Sequence, residues 1–370
     1  MKRDMLKPSY NLPPLPLRVE LETRPVMRAL GRAGRALAEL KGRAATIPNP
    51  DILIDTLSLQ EARASSEIEN IVTTQDELYQ ADLFPHGPAS PAAKEVARYR
   101  DAIKLGFNLL QESDGLISNR TLILLFRLLK EREEGFRQTP GTALKNDQTG
   151  EIIYVPPQDG EQINRHMAEL ERYINEDDLC PLDPLLKMAV IHHQFESIHP
   201  FADGNGRIGR MLNVLYLTRA GLLDAPILYL SRHITRHKND YYRLLQVVRT
   251  DGAWIEWTLF MLNAVEETSH TTLALVEAIG EQMRTMKHRM RANLPKLYSQ
   301  ELLNNLFRHP YTRIEFVQND LGTTRQTAAK YLDQLVQHGF VEKVQAGRNN
   351  YYINMDLVEL LLGVSDEGES

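Results

Sequence analysis

The sequence predicts a mainly α-helical protein with two small pairs of antiparallel strands. Three observations support this fold class. Apolar residues recur at helical spacing through most of the long segments. Extended runs flanking turn residues stand out at only two places, around residues 146–150 and 347–350. The length of 370 residues exceeds what one hydrophobic core usually supports, so two or three folding units are expected.

The first predicted elements are helices joined by one hairpin. A helix over 51–69 is expected to end at Asn70, a residue that tolerates the left-handed conformation of a helix stop. Three amphipathic helices follow, over 92–112, 119–133 and 161–175. Between the last two of these, the extended runs 142–145 and 151–155 enclose the turn and predict a lone β-hairpin.

The centre of the chain predicts a helix, a glycine-rich loop and a second helix. The first helix, over 184–198, is strongly apolar. The second runs from about Gly206 to Ala220 and is closed by Gly221. A long polar helical run over 266–296 then leads to a helix ending at Arg308, a helix-turn-helix over 314–338 and a second hairpin, which together predict a winged-helix domain.

Composition argues against several classes of partner. The net charge is -6, from 43 basic and 49 acidic residues, so no chain-wide attraction to nucleic acid or anionic membrane exists. The single cysteine, Cys180, has no second thiol for a disulfide or a metal site. The N-terminus lacks the apolar stretch of a signal peptide, and no run approaches the roughly 20 apolar residues that span a bilayer. A cytoplasmic protein without a membrane partner is expected.

The loop between the two central helices has the chemistry of an anion site. Gly204 and Gly206 allow a tight turn that brings backbone N–H groups to the positive end of a helix. Arg207 and Arg210, three residues apart, lie near one another on the helix surface, where both guanidinium groups can hold a polyphosphate. Asp203 offers an oxygen ligand for Mg²⁺, and His199 can accept a proton near neutral pH.

The run from His199 to Arg210, HPFADGNGRIGR, matches every defined position of the Fic family signature, His-x-Phe-x-Asp/Glu-Gly-Asn-Gly-Arg-x-x-Arg. This resemblance implies a Fic helical core over 92–265, between an N-terminal segment (1–91) and a helical connector (266–296) that precedes the winged helix (297–370). It also implies transfer of AMP from ATP to a tyrosine, threonine or serine hydroxyl of a protein. In these terms His199 is the catalytic base and Asp203 holds Mg²⁺. The residues implied for nucleotide binding are Glu69, Gly204, Asn205, Gly206, Arg207, Arg210 and Tyr241.

The same resemblance assigns a flap, a nucleoside pocket and an inhibitory helix. The flap would align the target as an added strand, through Ile153, Tyr154, Val155 and Pro156. The region 228–242 resembles the nucleoside pocket, with the Tyr241 ring placed beside adenine. The run from Ser65 to Asn70, SSEIEN, fits the family's inhibitory pattern Ser/Thr-x-x-x-Glu-Gly/Asn. The implied pair is Glu69 with Arg210, which competes with the γ-phosphate of ATP for the same guanidinium group.

Other interpretations of these residues stay open at this stage. Ser65 and Glu69 fit a solvated helix end, and the first hairpin fits a plain structural turn. His192 and His193 are expected to be packed or surface residues rather than metal ligands. Arg325, Lys330 and Arg348 would suit a nucleotide-sensing winged-helix regulator that binds DNA, although neighbouring acidic residues dilute that face. A metal-dependent phosphohydrolase using His199 and Asp203 is a further alternative, and a homodimer is compatible with the sequence.

Overall fold

The computed structural model describes residues 6–74, 90–146, 149–346 and 349–366. Within these ranges the chain forms fourteen α-helices, and the mainly α fold class is confirmed. The helices are α1 Arg24–Ala44, α2 Pro50–Ile68, α3 Pro91–Glu112, α4 Asn119–Lys130, α5 Gly160–Asn175, α6 Pro184–Ile198, α7 Asn205–Arg219, α8 Ser231–Arg236, α9 Lys238–Asp251, α10 Trp254–Asn293, α11 Gln300–Arg308, α12 Ile314–Leu321, α13 Arg325–Gln337 and α14 Met355–Asp366.

Two small antiparallel sheets accompany the helices. Strands β1 (Leu144–Lys145) and β2 (Ile152–Tyr154) form the predicted first hairpin. Strands β4 (Glu342–Ala346) and β5 (Asn349–Ile353) form the second, and the short strand β3 (Tyr311–Thr312) pairs with the outer edge of β5. Strand β3 was not predicted, because two residues carry no periodic signal. The turn residues Asp147, Gln148, Gly347 and Arg348 lie outside the described ranges.

Helices α6 and α7 form the centre of the core. Both are buried on nearly every face. This agrees with the apolar sequence of α6, since a helix that is apolar all round belongs inside a protein, whereas α7 also buries Arg207 and Arg210. The indole of Trp257 on α10 donates to the Ala189 carbonyl of α6 at 2.8 Å. At Gly106, α3 comes so close to α7 that an added Cβ would lie 2.7 Å from the Leu215 side chain. These contacts fix the central helix pair from two sides.

Helices α1 and α10 pack along each other, and neither was predicted with these bounds. The buried face of α1 carries Val26, Leu37 and Leu40 together with three alanines at helical spacing, so the amphipathic pattern is present in the sequence although no element was assigned to it. Helix α10 begins at Trp254, before the predicted connector, and runs without a break to Asn293. The expected boundary between residues 265 and 266 therefore falls inside one continuous helix.

Helix α2 ends as predicted and touches the C-terminal elements. Glu69 follows its last turn, and Asn70 adopts the left-handed conformation with φ of +61°. Near the start of α2, Asp55 accepts from the Arg308 guanidinium at 2.7 Å. Gln60 donates to the Leu361 carbonyl of α14 at 3.1 Å. Among the described residues, no helix combines the length and the apolar character needed to cross a membrane.

Candidate active site

A strained loop joins α6 to α7. His199 ends α6 in the left-handed conformation, with φ of +51°, and Gly204 has φ of +76° immediately before α7. Glycine adopts this conformation at little cost, but a histidine must be held there by its surroundings. The His199 N–H donates to the Phe195 carbonyl at 2.9 Å, and its carbonyl accepts from Arg137 Nε at 2.8 Å. The predicted tight turn is present at Gly204.

The Asn205 side chain stabilises this loop through hydrogen bonds to Phe201. Its Oδ1 accepts from the Phe201 N–H at 2.8 Å, and its Nδ2 donates to the Phe201 carbonyl at 2.9 Å. The Phe201 ring in turn stacks on Phe126, with centroids 4.4 Å apart. The side-chain amide of Asn205 is therefore used within the loop, and only its backbone N–H is left to face a phosphate. Nucleotide binding by Asn205 stays a prediction, and it would use this backbone group.

We expect Asn205→Ala to lower the free energy of unfolding by about 1–3 kcal/mol, because it leaves the buried Phe201 N–H and carbonyl without their partners. Urea denaturation followed by circular dichroism measures this change. The exposed residue Asn239 on α9 provides the matched control, and Asn239→Ala is expected to change stability by less than about 0.5 kcal/mol. Equal stability of the two variants would contradict the role given to the amide.

The first turn of α7 receives a carboxylate from α2. No side chain of the preceding residue caps this helix end, where the N–H groups and the helix dipole favour an anion. The Glu69 carboxylate lies against Gly206, so closely that a Cβ added to Gly206 would overlap with Glu69 Oε1. Gly206 is thus needed for the close approach of an anionic group rather than for a turn, since the helix already begins at Asn205.

Ser65, Glu69 and Arg210 are brought together as the sequence predicted. Arg210 Nη2 lies 2.8 Å from Glu69 Oε1, and Arg210 also donates to Ser65 Oγ at 2.8 Å and to the Ser65 carbonyl at 2.9 Å. The Arg210 side chain is buried, while that of Glu69 is 33% exposed. Burial alone would lower the pKa of Arg210, but the negative charge of Glu69 raises it above its usual value, so the guanidinium stays charged. The contact with Glu69 uses a single nitrogen and oxygen, not a bidentate fork.

Arg207 and Asp203 belong to a second chain of ion pairs. Arg207 Nη1 lies 2.5 Å from Glu95 Oε1, and Lys130 Nζ lies 2.8 Å from the same oxygen and 2.6 Å from Asp203 Oδ2. Glu95 and Lys130 were not predicted, because each looks like an ordinary charged residue on a helix surface. Burial would raise the pKa of Asp203, but Lys130 lowers it below its usual value. Asp203 is therefore an ionised, partly exposed oxygen donor, which suits Mg²⁺.

His199 is held as a neutral imidazole. Burial, reinforced by the positive charges of Arg137 and Arg249, lowers its pKa to about 4. The ring is therefore uncharged at pH 7 and can accept a proton. Arg137 and Arg249 are functional candidates that the sequence analysis missed, since isolated arginines outside a motif give no signal.

The first hairpin is anchored to the loop by buried groups. The Tyr154 hydroxyl donates to the Ser197 carbonyl at 2.6 Å, and the Arg249 guanidinium lies 3.8 Å from the Tyr154 ring centroid. Val155 and Pro156 are buried as well, and the Val155 backbone exchanges hydrogen bonds with Ser9. Of the four predicted flap residues, Ile153 alone is exposed. The side chains of the other three are buried where the strand ends against α6, and the expected pairing of a target through the main chain stays a prediction.

The ring predicted to lie beside adenine is also placed inside the core. Tyr241 is 1% exposed, and its hydroxyl lies 2.8 Å from His192 Nε2. The next residue, Tyr242, is 44% exposed. Consecutive residues of a helix point in different directions, so Tyr242 rather than Tyr241 presents its ring to solvent. His192 and His193 are both fully buried, which confirms the expectation that they are packed residues.

Three family models match this chain in succession. The Fic/DOC family N-terminal model matches residues 27–108, and the Fic/DOC family model matches residues 117–217. The third, a protein adenylyltransferase SoFic-like C-terminal domain, matches residues 282–357. The chain belongs to the Fic/DOC family. The contact between Glu69 and Arg210 thus joins the Fic N-terminal segment to the Fic domain proper.

Two curated relatives named protein adenylyltransferase Fic are similar to part of this chain. The chain is 33% identical over 115 residues to the protein adenylyltransferase Fic of Culex quinquefasciatus, a match covering 31% of this chain and 21% of the relative. It is 30% identical over 130 residues to that of Drosophila melanogaster, covering 35% and 25%. The chain therefore matches a quarter or less of the length of these two Fic relatives.

Two solved Fic structures share the fold. A Fic family protein from Desulfovibrio desulfuricans superposes with a TM-score of 0.54 at 20% identity, covering 93% of this chain and 98% of that one. A Fic domain containing signaling protein from Bacteroides thetaiotaomicron gives a TM-score of 0.50 at 16% identity, covering 68% and 97%. At these identities the likeness is one of fold, and the Fic fold extends over most of this chain.

Proposed function

We propose that this Fic protein is a protein adenylyltransferase that transfers AMP from Mg-ATP to a tyrosine, threonine or serine hydroxyl of a target protein or of itself. The observation that carries the proposal is the loop before α7. It gathers His199, Asp203, Arg207 and Arg210 around a helix end that no side chain caps from its own loop. The curated relatives named protein adenylyltransferase Fic support the same reaction class.

The proposed step forms one bond and breaks one. The target hydroxyl oxygen bonds to the α-phosphorus of ATP, the bond from that phosphorus to the bridging oxygen breaks, and pyrophosphate leaves. His199 takes the hydroxyl proton, which its neutral state allows. The phosphates of a bound nucleotide would raise the pKa of His199 from about 4, which makes it a better base. Arg207 and Arg210 would neutralise the phosphate charge.

Asp203 is the residue proposed to hold Mg²⁺, which would neutralise charge on the phosphate oxygens. Its carboxylate is ionised and partly exposed, and its present partner is Lys130 on α4. With Asp203 bound to the metal, Lys130 would keep Glu95 as its partner. Its ammonium group would therefore still be neutralised beside the metal.

We further propose that the resting protein is inhibited by Glu69. Its carboxylate neutralises Arg210 and lies on the first turn of α7, where an anionic phosphate oxygen would otherwise be favoured. Displacement of the Glu69 side chain would free both the Arg210 guanidinium and the first turn of α7. The accessible position of Tyr242 makes it the proposed contact for the nucleoside in place of Tyr241.

The rival proposal of a DNA-binding regulator has less support. Arg325 is paired with Glu315 at 3.1 Å, and Lys343 with Asp333 at 3.1 Å, so acidic residues neutralise part of the positive charge of the winged-helix unit. Arg348, which contributed to that interpretation, lies outside the described residues. A protein target is the partner we propose. The cytoplasmic location and the homodimer remain predictions.

Mass spectrometry of the purified Glu69→Gly protein after incubation with Mg-ATP tests the proposed function. We expect an adenylate adduct on a tyrosine, threonine or serine of the protein itself, and much less adduct on the wild-type protein treated in parallel. Release of inorganic phosphate without any adduct, on the protein or on added cell extract, would instead support the phosphohydrolase alternative.

A further inference from the structure

A second group of chemically reactive side chains lies at the junction of α8, α9 and α10. It consists of His233 in α8, His237 immediately after α8, and Glu267 in α10. One ligand atom from each residue lies within 4.8 Å of the other two. His233 Nδ1 and Glu267 Oε2 are 2.7 Å apart, and the two imidazole ring centroids are 4.4 Å apart. None of these three residues is assigned a role in the proposed AMP transfer, although both histidines lie in the 228–242 region that resembles the nucleoside pocket.

Local structure explains why the three side chains meet. His233 and His237 are four residues apart across the last turn of α8, which places them one above the other on one face. That face packs on α10, where the His233 ring contacts Phe260 with centroids 5.1 Å apart. His233 is buried, Glu267 is half-buried and His237 is exposed. The cluster thus has a closed inner side and an open outer side.

We propose that His233, His237 and Glu267 form a binding site for a divalent transition metal of the zinc class. Two imidazoles and a carboxylate are a common set of protein ligands for such an ion, and the open side leaves a coordination position for water or a further ligand. The site uses only this chain's own residues, and its occupation does not depend on ATP.

A metal would bind where a hydrogen bond now lies. His233 Nδ1 and Glu267 Oε2 are 2.7 Å apart, so one proton lies between them. A metal bound at Nδ1 would take the place of that proton, and the neutral ring would then carry its single N–H on Nε2.

Two features oppose binding, and both can be accommodated. The spacing of 2.7 Å between His233 and Glu267 must open to about 3.3 Å, the distance between neighbouring ligands in a tetrahedral zinc site. Arg236 Nη1 lies 3.4 Å from Glu267 Oε1 and would repel a cation, but its side chain is 36% exposed and can turn into solvent. The expected site is therefore of moderate affinity rather than a permanently filled structural centre.

Metal binding to the full-length protein, with any polyhistidine tag removed, tests the proposal. After treatment with a chelator, the protein is incubated with equimolar Zn²⁺, passed through a desalting column and assayed for zinc by atomic emission. We expect about one zinc per chain in the wild-type protein. His237→Ala should bind at least about tenfold more weakly, because a site with three protein ligands loses one of them.

Two further variants separate metal binding from folding. His237 is exposed, so His237→Ala should melt like the wild-type protein in EDTA, while Zn²⁺ should raise the melting temperature of the wild-type protein alone. His338→Ala removes an exposed histidine of the C-terminal unit and should bind zinc normally. Equal zinc content in the wild-type protein and His237→Ala, or no bound zinc in the wild-type protein, would overturn the proposal. Labelling of the protein by ATP plays no part in either outcome.

Discussion

Glu69→Gly is expected to raise the rate at which the protein labels itself with α-labelled ATP by about 10- to 100-fold. A hydrogen bond between charged groups contributes about 1.5–3 kcal/mol, and each 1.4 kcal/mol corresponds to a factor of ten. Removal of the carboxylate frees Arg210 Nη2 and clears the space beside Gly206. Both groups then become available to the phosphates of ATP. Initial rates measured by filter binding or autoradiography give the comparison.

The matched control for this variant is Glu67→Gly. Glu67 lies in the last turn of α2 and is exposed, so its replacement introduces the same glycine into the same helix end without touching Arg210. A second variant, Glu69→Gln, keeps the shape of the side chain and removes its charge, and should give an intermediate rate. Unchanged or lower labelling by Glu69→Gly, in protein that melts normally, would refute the inhibitory assignment. Equal activation by Glu67→Gly would show that the faster labelling comes from loosening of the end of α2 rather than from loss of the Glu69 carboxylate.

The two central helices could be predicted closely because their ends carry strong local signals. Pro184 occupies the first turn of α6, and Gly221, with φ of +69°, follows the end of α7. The twelve residues from His199 to Arg210, which form the loop and the first turns of α7, contain most of the proposed site. Helix α1 has a regular apolar stripe from Val26 to Leu40 opposite a face that bears basic residues, so its period is readable, but this segment was not assigned to an element from the sequence.

Contacts between distant residues could not be predicted from local patterns. Glu95 and Arg207 are 112 residues apart, and nothing in either segment indicates that they pair. Glu69 and Arg210 are 141 residues apart, and their pairing was anticipated only because the family signature supplied both partners. The burial of Tyr241 and the exposure of Tyr242 could not be predicted for a related reason. Adjacent aromatic residues at the start of a helix leave the direction of each ring undetermined until the helix is packed.

The residues that hold the flap also connect it to the loop before α7. The flap was expected to align a target through its main chain, and the Tyr154 hydroxyl in addition links β2 to the end of α6. Arg249 lies on its ring, and Arg137 donates to the Pro157 carbonyl at 2.5 Å. The flap and the strained His199 turn therefore share the same two arginines. A change in the flap would therefore alter the surroundings of His199. This connection cannot be read from the sequence of either segment.

His199→Ala, introduced into the Glu69→Gly protein, is expected to reduce AMP transfer by at least about 100-fold, the lower limit of what a positioned general base contributes. The affinity for Mg-ATP should stay unchanged. Because the pKa of His199 is about 4, the imidazole is neutral at pH 7, and its removal changes no charge next to the phosphates. Self-labelling measures transfer, and equilibrium binding of a fluorescent ATP analogue measures affinity.

The unchanged affinity is what separates a catalytic from a structural role for His199. His199 also holds the left-handed turn before the loop, so a collapsed loop would abolish nucleotide binding together with transfer. Loss of both nucleotide binding and AMP transfer would therefore indicate that His199 only stabilises the turn. Persistent transfer would show that it is not the catalytic base. His288→Ala in the same background replaces an exposed histidine of α10 and should leave both quantities as they are. Loss of transfer with retained binding is the result that only a proton acceptor at His199 explains.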